Sequence, residues 1–357
     1  LLRDRLAFVT NIFVSILIAI IGQKSISVSP ESLIVSLFVG CVIILLRGRL
    51  IQRGSLLFTG VLAGISAALI TLILSILSSG AAPSSMLINA AWAALGGVLG
   101  AILCLGTLPV WESVFGILTP VKLLELSNQN HPLLKRLSLE AAGTHHHSIV
   151  VANLAERAAD AIGANSLLTR VGAYYHDIGK LENPSYFAEN QVNKENPHDE
   201  LDPAESVKII RKHPKSGYIM ARKSRIAKEI CDIILQHHGT MPIQYFYHKA
   251  LAENPDAKIE NFCYAGPKPQ TREAAVIMMA DCAEAAVRSL TEKNYENIRY
   301  KIKELIKERL DSGQFDECDL TLKELDTIAA EFAESFVGIY HDRVKYPRLE
   351  LAEGKNK

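Results

Sequence analysis

The sequence predicts an all-α protein made of two unlike parts, a polytopic region of transmembrane helices followed by a helical bundle. Three observations favour this class. Four long apolar stretches occupy the first 110 residues, and the rest of the chain repeats its apolar residues at helical spacing. The sequence shows no convincing run of alternating strand pattern. Only 21% of the 357 residues are charged and the mean hydropathy is positive, which is unusual for a soluble protein.

Each apolar stretch is free of charged residues and is a candidate for crossing a bilayer. The last two exceed the roughly 20 residues that a spanning helix needs, and the first two lie near the lower limit. The buried core of a soluble helical protein is the alternative, and the lack of interrupting charge argues against it. We therefore predict four spans within residues 1–110, at Leu6–Gly22, Ser32–Leu46, Ser55–Ser78 and Met86–Val110.

Basic residues in the loops predict the orientation of these spans. The loops on the opposite side hold only Lys24 and Glu31 as charged residues. Because basic loops remain in the cytoplasm, we expect a multi-pass protein of the cell membrane with both chain ends in the cytoplasm. The arginines that carry this argument are Arg3, Arg5, Arg47, Arg49 and Arg53. A face of small residues on the fourth span permits close helix contact, and a general membrane preference for small residues explains it equally well: Ala93, Ala94, Gly96, Gly97, Gly100 and Ala101.

Residues 111–140 are predicted to form an interfacial helix and a connector. Trp111 suits the headgroup level, and Pro120 would begin or kink a helix at Val121–Leu126 that Asn128-Gln129-Asn130 ends. A passive linker and a transmitter of motion are both compatible with this stretch. Residues 141–357 then form the second domain, in which Ile243–Tyr247 is a candidate short strand and 181–202 and 254–270 are long loops. Its predicted helices are 145–162, 166–178, 203–212, 215–222, 225–236, 271–290, 294–311 and 321–342.

A scattered set of histidines and aspartates in this second domain indicates a metal centre. Seven imidazole and carboxylate ligands are too many for one tetrahedral zinc. Two octahedral first-row ions bridged by one carboxylate would use all of them and leave open positions. Two metals about 3.5–4 Å apart suit phosphoester hydrolysis. The candidate ligands are His147, His176, Asp177, His213, His237, His238 and Asp281.

The local sequence supports these ligands one by one. His147 lies on the apolar stripe of a helix that Gly143 or Thr144 would cap and Gly163 would end. Asp281 is surrounded by apolar neighbours, and a buried carboxylate is costly unless a partner such as a metal offsets the cost.

Four of the candidate ligands form two pairs of adjacent residues in the sequence. Neighbouring residues on a helix diverge by about 100°, so both members reach a metal most easily where a helix ends. Gly179 follows His176-Asp177 and Gly239 follows His237-His238, and each glycine is predicted to mark such an end. His198, in a Pro/Asn-rich loop, is either a solvated histidine or a substrate contact.

These motifs resemble those of the HD-domain metal phosphohydrolases. The full set of motifs is similar to that of the membrane-anchored seven-transmembrane HD-domain family, the PgpH-type cyclic di-AMP phosphodiesterases. The likeness covers nearly the whole chain. That family has an extracytoplasmic ligand-binding region and further membrane helices before this point. Because the chain begins at Leu1 rather than Met, we expect a fragment of a longer protein. The motifs that carry the resemblance are Gly143-Thr144, His147-Ser148, His176–Lys180, His237–Thr240 and Asp281.

The resemblance implies a cytoplasmic HD-domain helical bundle with two divalent ions, iron or manganese. By that resemblance His147, His176, Asp177 and Asp281 would hold the first ion. Asp177 would bridge to the second ion, which His213, His237 and His238 would complete. Lys180 would face the phosphate as the second catalytic residue beside Asp177, and Thr240 is a candidate substrate contact together with His198 and Lys180.

The implied activity is hydrolysis of cyclic di-AMP to the linear dinucleotide 5′-pApA in bacterial signalling. Related enzymes that cleave cyclic di-GMP carry a Gly-Tyr-Pro signature after the paired histidines, and here the segment reads Gly239-Thr240-Met241-Pro242. Its absence disfavours the guanine compound. An HD enzyme acting on nucleoside triphosphates or an alarmone, and a non-catalytic receptor with a structural metal site, remain alternatives.

The expected partners are cyclic di-AMP, the lipid bilayer and further copies of the chain in a homo-oligomer. The formal net charge is zero, so the sequence gives no reason to expect a nucleic-acid polymer as a partner. None of the six cysteines forms a Cys-x-x-Cys pair. A disulfide framework and a zinc knuckle are therefore both disfavoured.

Overall fold

The computed structural model describes residues 2–21, 30–46, 53–78, 82–191 and 196–340. Within those ranges every regular secondary-structure element is a helix, and β-type pairing is limited to one isolated bridge between Pro242 and Cys263. The all-α prediction is confirmed. The chain divides into two compact units, Leu1–Glu125 and Leu126–Lys357, which are considered separately below.

The first unit contains the four predicted apolar helices. Two of them are long and apolar enough to cross a membrane by length and composition, over Gly54–Leu77 and Pro83–Phe115, and the other two are shorter. Lys24, Arg47 and Arg49, on which the predicted orientation partly depends, lie outside the described residues. The helices are α1 (Leu2–Ile21), α2 (Pro30–Leu46), α3 (Arg53–Leu77) and α4 (Pro83–Phe115).

Helices α3 and α4 pack closely through small residues. A Cβ atom at Gly97 would overlap the backbone of Gly64, and one at Gly60 would overlap the side chain of Ala101. A Cβ at Gly96 or Gly100 would meet no atom within 4 Å. Only part of the predicted small-residue face therefore makes the contact between these two helices.

Helix α4 continues beyond the predicted end of the fourth span. Trp111 lies inside α4 and stacks on Phe115 at 5.9 Å, so the prediction that an interfacial helix begins at Trp111 is wrong. The helix ends where Gly116 adopts a left-handed conformation with φ of 63°. The short helix predicted after Pro120 is present as α5 (Pro120–Leu126), and α6 (Pro132–Glu140) follows it.

The second unit is a bundle in which α7 packs against four other helices, α6, α8, α12 and α14, while α9 packs against α10. A 3-10 segment at Ile178–Glu182 leads into the first predicted loop. Four more lie within the two predicted loops, at Pro184–Tyr186, Ala188–Asn190, Pro197–Glu200 and Ile259–Phe262. The helices are α7 (Ala142–Ala161), α8 (Ser166–Tyr175), α9 (Pro203–Lys223), α10 (Lys228–Gln236), α11 (Gln244–Glu253), α12 (Arg272–Arg288), α13 (Tyr295–Asp311) and α14 (Leu322–Ile339).

One predicted break in this bundle does not occur. The segments predicted at 203–212 and 215–222 form one helix, α9, with Pro214 inside it. A proline inside a helix leaves the carbonyl four residues earlier without its backbone donor. Here that carbonyl, of Ile210, lies 2.7 Å from Nδ1 of His213 and accepts its proton. A candidate metal ligand thus compensates for the proline.

Two further local predictions are wrong. Ile243–Tyr247 does not form a strand, because α11 begins at Gln244. Thr144 does not cap α7, which starts at Ala142. Its side chain is buried and bonds instead to Glu189. The predicted stop at Gly163 is consistent with the structure, since this glycine has φ of 67° directly after the end of α7.

Candidate metal centre

The structure brings all seven predicted donors together in two adjacent groups. Within each group the candidate ligand atoms lie within 4.8 Å of one another, the separation that a single ion can bridge. The first group contains His147, His176 and Asp281, and the second contains Asp177, His213, His237 and His238. The resemblance implied the same division, except that it placed Asp177 in both sets, and the assignment of these residues as ligands stays a prediction.

Asp177 lies between the two groups and directs one oxygen towards each. Its Oδ2 is 3.3 Å from Nε2 of His176 and 3.8 Å from Nε2 of His147. Its Oδ1 is 3.2 Å from Nε2 of His213 and 3.6 Å from Nε2 of His237. A carboxylate in this position can bridge two ions.

Backbone carbonyls fix the orientation of three imidazoles in the same way. Nδ1 of His176, His213 and His237 lies 2.7, 2.7 and 2.8 Å from the carbonyl oxygen three residues earlier in the chain. Because Nδ1 donates its proton there, Nε2 of each ring is left as a lone-pair donor that faces the centre. The helical positions of these residues therefore select the tautomer that binds metal.

A carboxylate orients the fourth imidazole. Nδ1 of His147 is 2.9 Å from Oε2 of the buried Glu284, while its Nε2 is 3.0 Å from Oδ1 of Asp281. Burial alone would lower the pKa of His147, but the hydrogen bonds with Asp281 and Glu284 outweigh burial and raise it to about 10. The surroundings of this ring strongly favour positive charge.

Several polar atoms in the centre fit a bound cation better than any other partner. Nε2 of His213 and Nε2 of His237 lie 3.2 Å apart, although both rings already use their proton on a carbonyl. Two lone pairs at this distance repel unless a cation lies between them. Nε2 of His176 and Oδ1 of Asp177 are also buried without a hydrogen-bond partner among the described residues. These residues fit divalent metal ions.

The charge states of three other donors, Asp177, His237 and His238, suit metal binding. Burial would raise the pKa of Asp177, but His176 and Lys180 outweigh it and hold the pKa well below its usual range. Burial lowers the pKa of His237 to about 4, and burial together with the neighbouring His237 lowers the pKa of His238. Ionised carboxylates and neutral imidazoles are the forms that bind metal.

The two adjacent ligand pairs do follow helix ends, as predicted, but their glycines act differently. Gly239 has φ of 51° and ends the helical turn after His238. Gly179 lies in a 3-10 segment instead of forming a left-handed cap, so that part of the prediction is wrong. A Cβ at Gly179 would overlap the backbone carbonyl of His213, so the glycine allows the loop after Asp177 to approach α9.

The predicted substrate contacts lie at different places around the centre. Lys180 is 2.7 Å from Asp177, at the edge of the first group. The Thr240 hydroxyl accepts a hydrogen bond from Gln314 at 3.0 Å. His198 is buried, with Nε2 3.0 Å from the carbonyl of Tyr186, and belongs to neither group. The substrate-binding roles of all three remain predictions.

Three residues next to the centre were not predicted from the sequence. Glu284 follows Asp281 by three residues on one helix and shares its face, a spacing that could have indicated it. Glu189 ion-pairs with Lys180 from a loop. The ring of Tyr264 stacks on His238 with centroids 4.2 Å apart and 22° between planes. Neither Glu189 nor Tyr264 has a recognisable spacing relative to the ligands in the sequence.

Two family models match the chain. A model described as a 7TM receptor with intracellular HD hydrolase matches residues 1–119. A model described as an HD domain matches residues 144–286, a range that contains all seven donors of the centre.

Curated relatives match both units. The chain is 43% identical over 348 residues to the cyclic-di-AMP phosphodiesterase PgpH of Listeria monocytogenes, covering 97% of this chain and 48% of that protein. It is 51% identical over 251 residues to the cyclic-di-AMP phosphodiesterase PgpH of Bacillus subtilis, covering 70% of this chain and 35% of that protein. The chain thus spans less than half the length of these two curated relatives.

Solved structures of an HD domain match more than half of this chain. The crystal structure of the HD domain of the L. monocytogenes phosphodiesterase PgpH in complex with cyclic di-AMP is similar to this chain, with a TM-score of 0.58 and 51% identity. The match covers 60% of this chain and 100% of that one. A structure of the same L. monocytogenes domain gives a TM-score of 0.57 and 50% identity.

Proposed function

Since this chain belongs to the family of 7TM receptors with an intracellular HD hydrolase, as its motifs predicted, we propose that it is a dinuclear-metal phosphodiesterase. Its proposed reaction is hydrolysis of cyclic di-AMP to linear 5′-pApA. The observation that carries the proposal is the position of Asp177, whose two oxygens face two separate groups of buried donors. A single closed structural metal site would not need such a carboxylate.

We assign the first ion to His147, His176, Asp281 and Asp177, and the second to Asp177, His213, His237 and His238. Imidazole-rich ligation with few carboxylates suits iron or manganese, which are the proposed metals. When bound, two such ions activate water and neutralise negative charge on a phosphoryl group.

The chain's own residues place and stabilise the phosphodiester in this proposal. The Lys180 ammonium, next to the bridging Asp177, donates to a phosphoryl oxygen and stabilises the charge that grows there during attack. Attack of water in line with the ribose 3′ oxygen breaks the bond from phosphorus to that oxygen and leaves the phosphate on the 5′ side. Asp177 holds both halves of the centre together, and Lys180 contacts the substrate.

Cyclic di-AMP is the proposed substrate for two reasons. Two relatives that match over most of this chain are cyclic-di-AMP phosphodiesterases, and one solved HD domain is a complex with that nucleotide. The segment after His238 also lacks the Gly-Tyr-Pro signature of the enzymes for the guanine compound.

We further propose that α1 to α4 cross the cell membrane and that the second unit lies in the cytoplasm. The apolar lengths of α3 and α4 and the match to a 7TM family support the spans. Arginines between the second and third apolar stretches support the orientation. A homo-oligomer stays a prediction, which a mass measurement in detergent would check.

Product analysis tests the proposed function. Detergent-solubilised protein loaded with iron or manganese is incubated with cyclic di-AMP, cyclic di-GMP and a panel of nucleotides that includes nucleoside triphosphates and an alarmone. We expect linear 5′-pApA as the main product, with much slower cleavage of cyclic di-GMP. Preferred cleavage of the guanine compound would overturn the substrate, and preferred hydrolysis of a nucleoside triphosphate or the alarmone would favour the alternative HD enzyme. Metal binding without hydrolysis of any compound would favour a receptor.

A further inference from the structure

Lys180 is a buried cation shared by two carboxylates. Its Nζ lies 2.7 Å from Oδ2 of Asp177 and 2.7 Å from Oε1 of Glu189, and its side chain is 12% exposed. The ring of Phe187 lies beneath the ammonium, with 5.0 Å from Nζ to the ring centroid. One of the two anions belongs to the metal centre and the other does not.

The Asp177 oxygen that Lys180 contacts is the one that faces the first group of donors. Oδ2 lies 3.3 Å from Nε2 of His176, whereas Oδ1 faces the second group. An ion held by the first group would therefore share the Oδ2 oxygen of Asp177 with the Lys180 ammonium. Like charges this close in a buried site repel strongly, so an uncompensated Lys180 would weaken binding of that ion.

Glu189 is held in place by a set of contacts to the start of α7. The Thr144 hydroxyl donates to Glu189 Oε1 at 3.0 Å. The adjacent Asn190 accepts from the Thr144 backbone N–H at 3.0 Å and donates to the Thr144 hydroxyl at 2.9 Å. A Cβ at Gly143 would overlap the carbonyl of Glu189, so only glycine permits this approach. The Gly143-Thr144 motif thus fixes the position of a carboxylate from a distant loop.

We infer that Glu189 is a positioning residue that balances the charge of Lys180 and so leaves Asp177 available to the ion in the first group. Lys180 can then remain charged and face the phosphate while two divalent ions occupy the centre. The inference rests on the proposed two-ion function. It assigns a role to the Gly143-Thr144 motif, which is not itself among the proposed metal ligands.

A cycle of variants tests this inference on the full chain in detergent, with Mn²⁺ affinity measured by equilibrium dialysis and metal analysis. Glu189→Gln keeps the size of the side chain and its acceptor for Thr144 but removes the charge. We expect it to weaken the affinity for one Mn²⁺ ion by roughly tenfold or more. Without the charge of Glu189, the whole charge of Lys180 acts on Asp177. Lys180→Met in the same chain should restore that affinity.

The matched control is Glu182→Gln, which removes a carboxylate from the 3-10 segment that carries Lys180; Glu182 pairs with Lys212 of α9. It should bind Mn²⁺ as the parent does, and circular dichroism checks that each variant is folded. Unchanged Mn²⁺ affinity in Glu189→Gln, or no recovery in the double variant, overturns the inference. The number of ions bound by the parent separately tests the proposed function, since the cycle is measured on whichever ions bind.

Discussion

The two units of this chain place polar and apolar side chains in opposite ways. In the first unit large apolar side chains point outward, as Trp92 does with 68% of its surface exposed, and glycines make the contact between α3 and α4. In the second unit large side chains such as Tyr175 and Phe332 are fully buried, and charged groups such as Asp177 are buried with them.

This difference shows which forces hold each unit together. In the proposed membrane location, lipid surrounds the apolar side chains on the outside of the first unit, so excluding water does not drive the helices together. Close backbone contact at small residues then contributes most to helix packing. The second unit is stabilised by an ordinary apolar core. Burying the charges of its polar centre costs free energy unless those charges have partners. A substitution of the same kind should therefore have different consequences in the two units.

The largest expected effect is that of Asp177→Ala. Because Asp177 faces both groups of donors, its loss should remove most of both ions and lower turnover of cyclic di-AMP by at least about a thousandfold. Metal analysis and product formation measure the two effects. Lys180→Ala is the comparison, since it should retain the ions and slow turnover only. An Asp177→Ala protein that keeps two ions would contradict the bridging assignment.

A smaller effect is expected from Gly97→Val in the first unit. The added side chain would collide with the backbone of Gly64 and lower the stability of the α3–α4 pair by about 1–3 kcal/mol. Thermal unfolding in detergent measures this loss, and metal content should not change.

Gly100→Val is the matched control for that substitution, because a Cβ at Gly100 meets open space. The two variants add the same side chain at positions that are about one helical turn apart. Equal loss of stability in both would mean that the general cost of valine in this helix, and not contact with α3, determines the result.

The helical pattern predicted most of the fold, and it failed at Pro214 and at Thr144. Pro214 indicates a helix break when read alone, but α9 continues through it, and His213 of the same helix bonds the Ile210 carbonyl. Thr144 has the chemistry of a cap, but its hydroxyl is used by Glu189. Glu189 is 45 residues from Thr144 along the chain, so spacing does not identify it as the partner.

More of the residues of the candidate site than of the surrounding loops could be predicted from the sequence. Histidines and aspartates among apolar residues are visible in the sequence because they interrupt apolar runs, as Asp281 does inside α12. Glu189 and Tyr264 come from loops in which polar and aromatic residues are ordinary. Their placement depends on how the loops fold back on the bundle, for example through the bond from the Tyr264 N–H to the Met241 carbonyl at 3.0 Å.

The smallest expected effect concerns the point where the second unit begins. The hydroxyl of the buried Tyr175 donates to the carbonyl of Leu126 at 2.9 Å, next to the candidate ligand His176. Tyr175→Phe leaves that carbonyl without its donor and should lower stability by about 1–2 kcal/mol, with metal content unchanged. Tyr300→Phe, at a position 74% exposed, is the control and should change stability by less than about 0.5 kcal/mol. If Tyr175→Phe unfolds at the same temperature as the parent, the bond to Leu126 does not help to hold the start of the second unit; if it loses metal, that bond supports the centre as well.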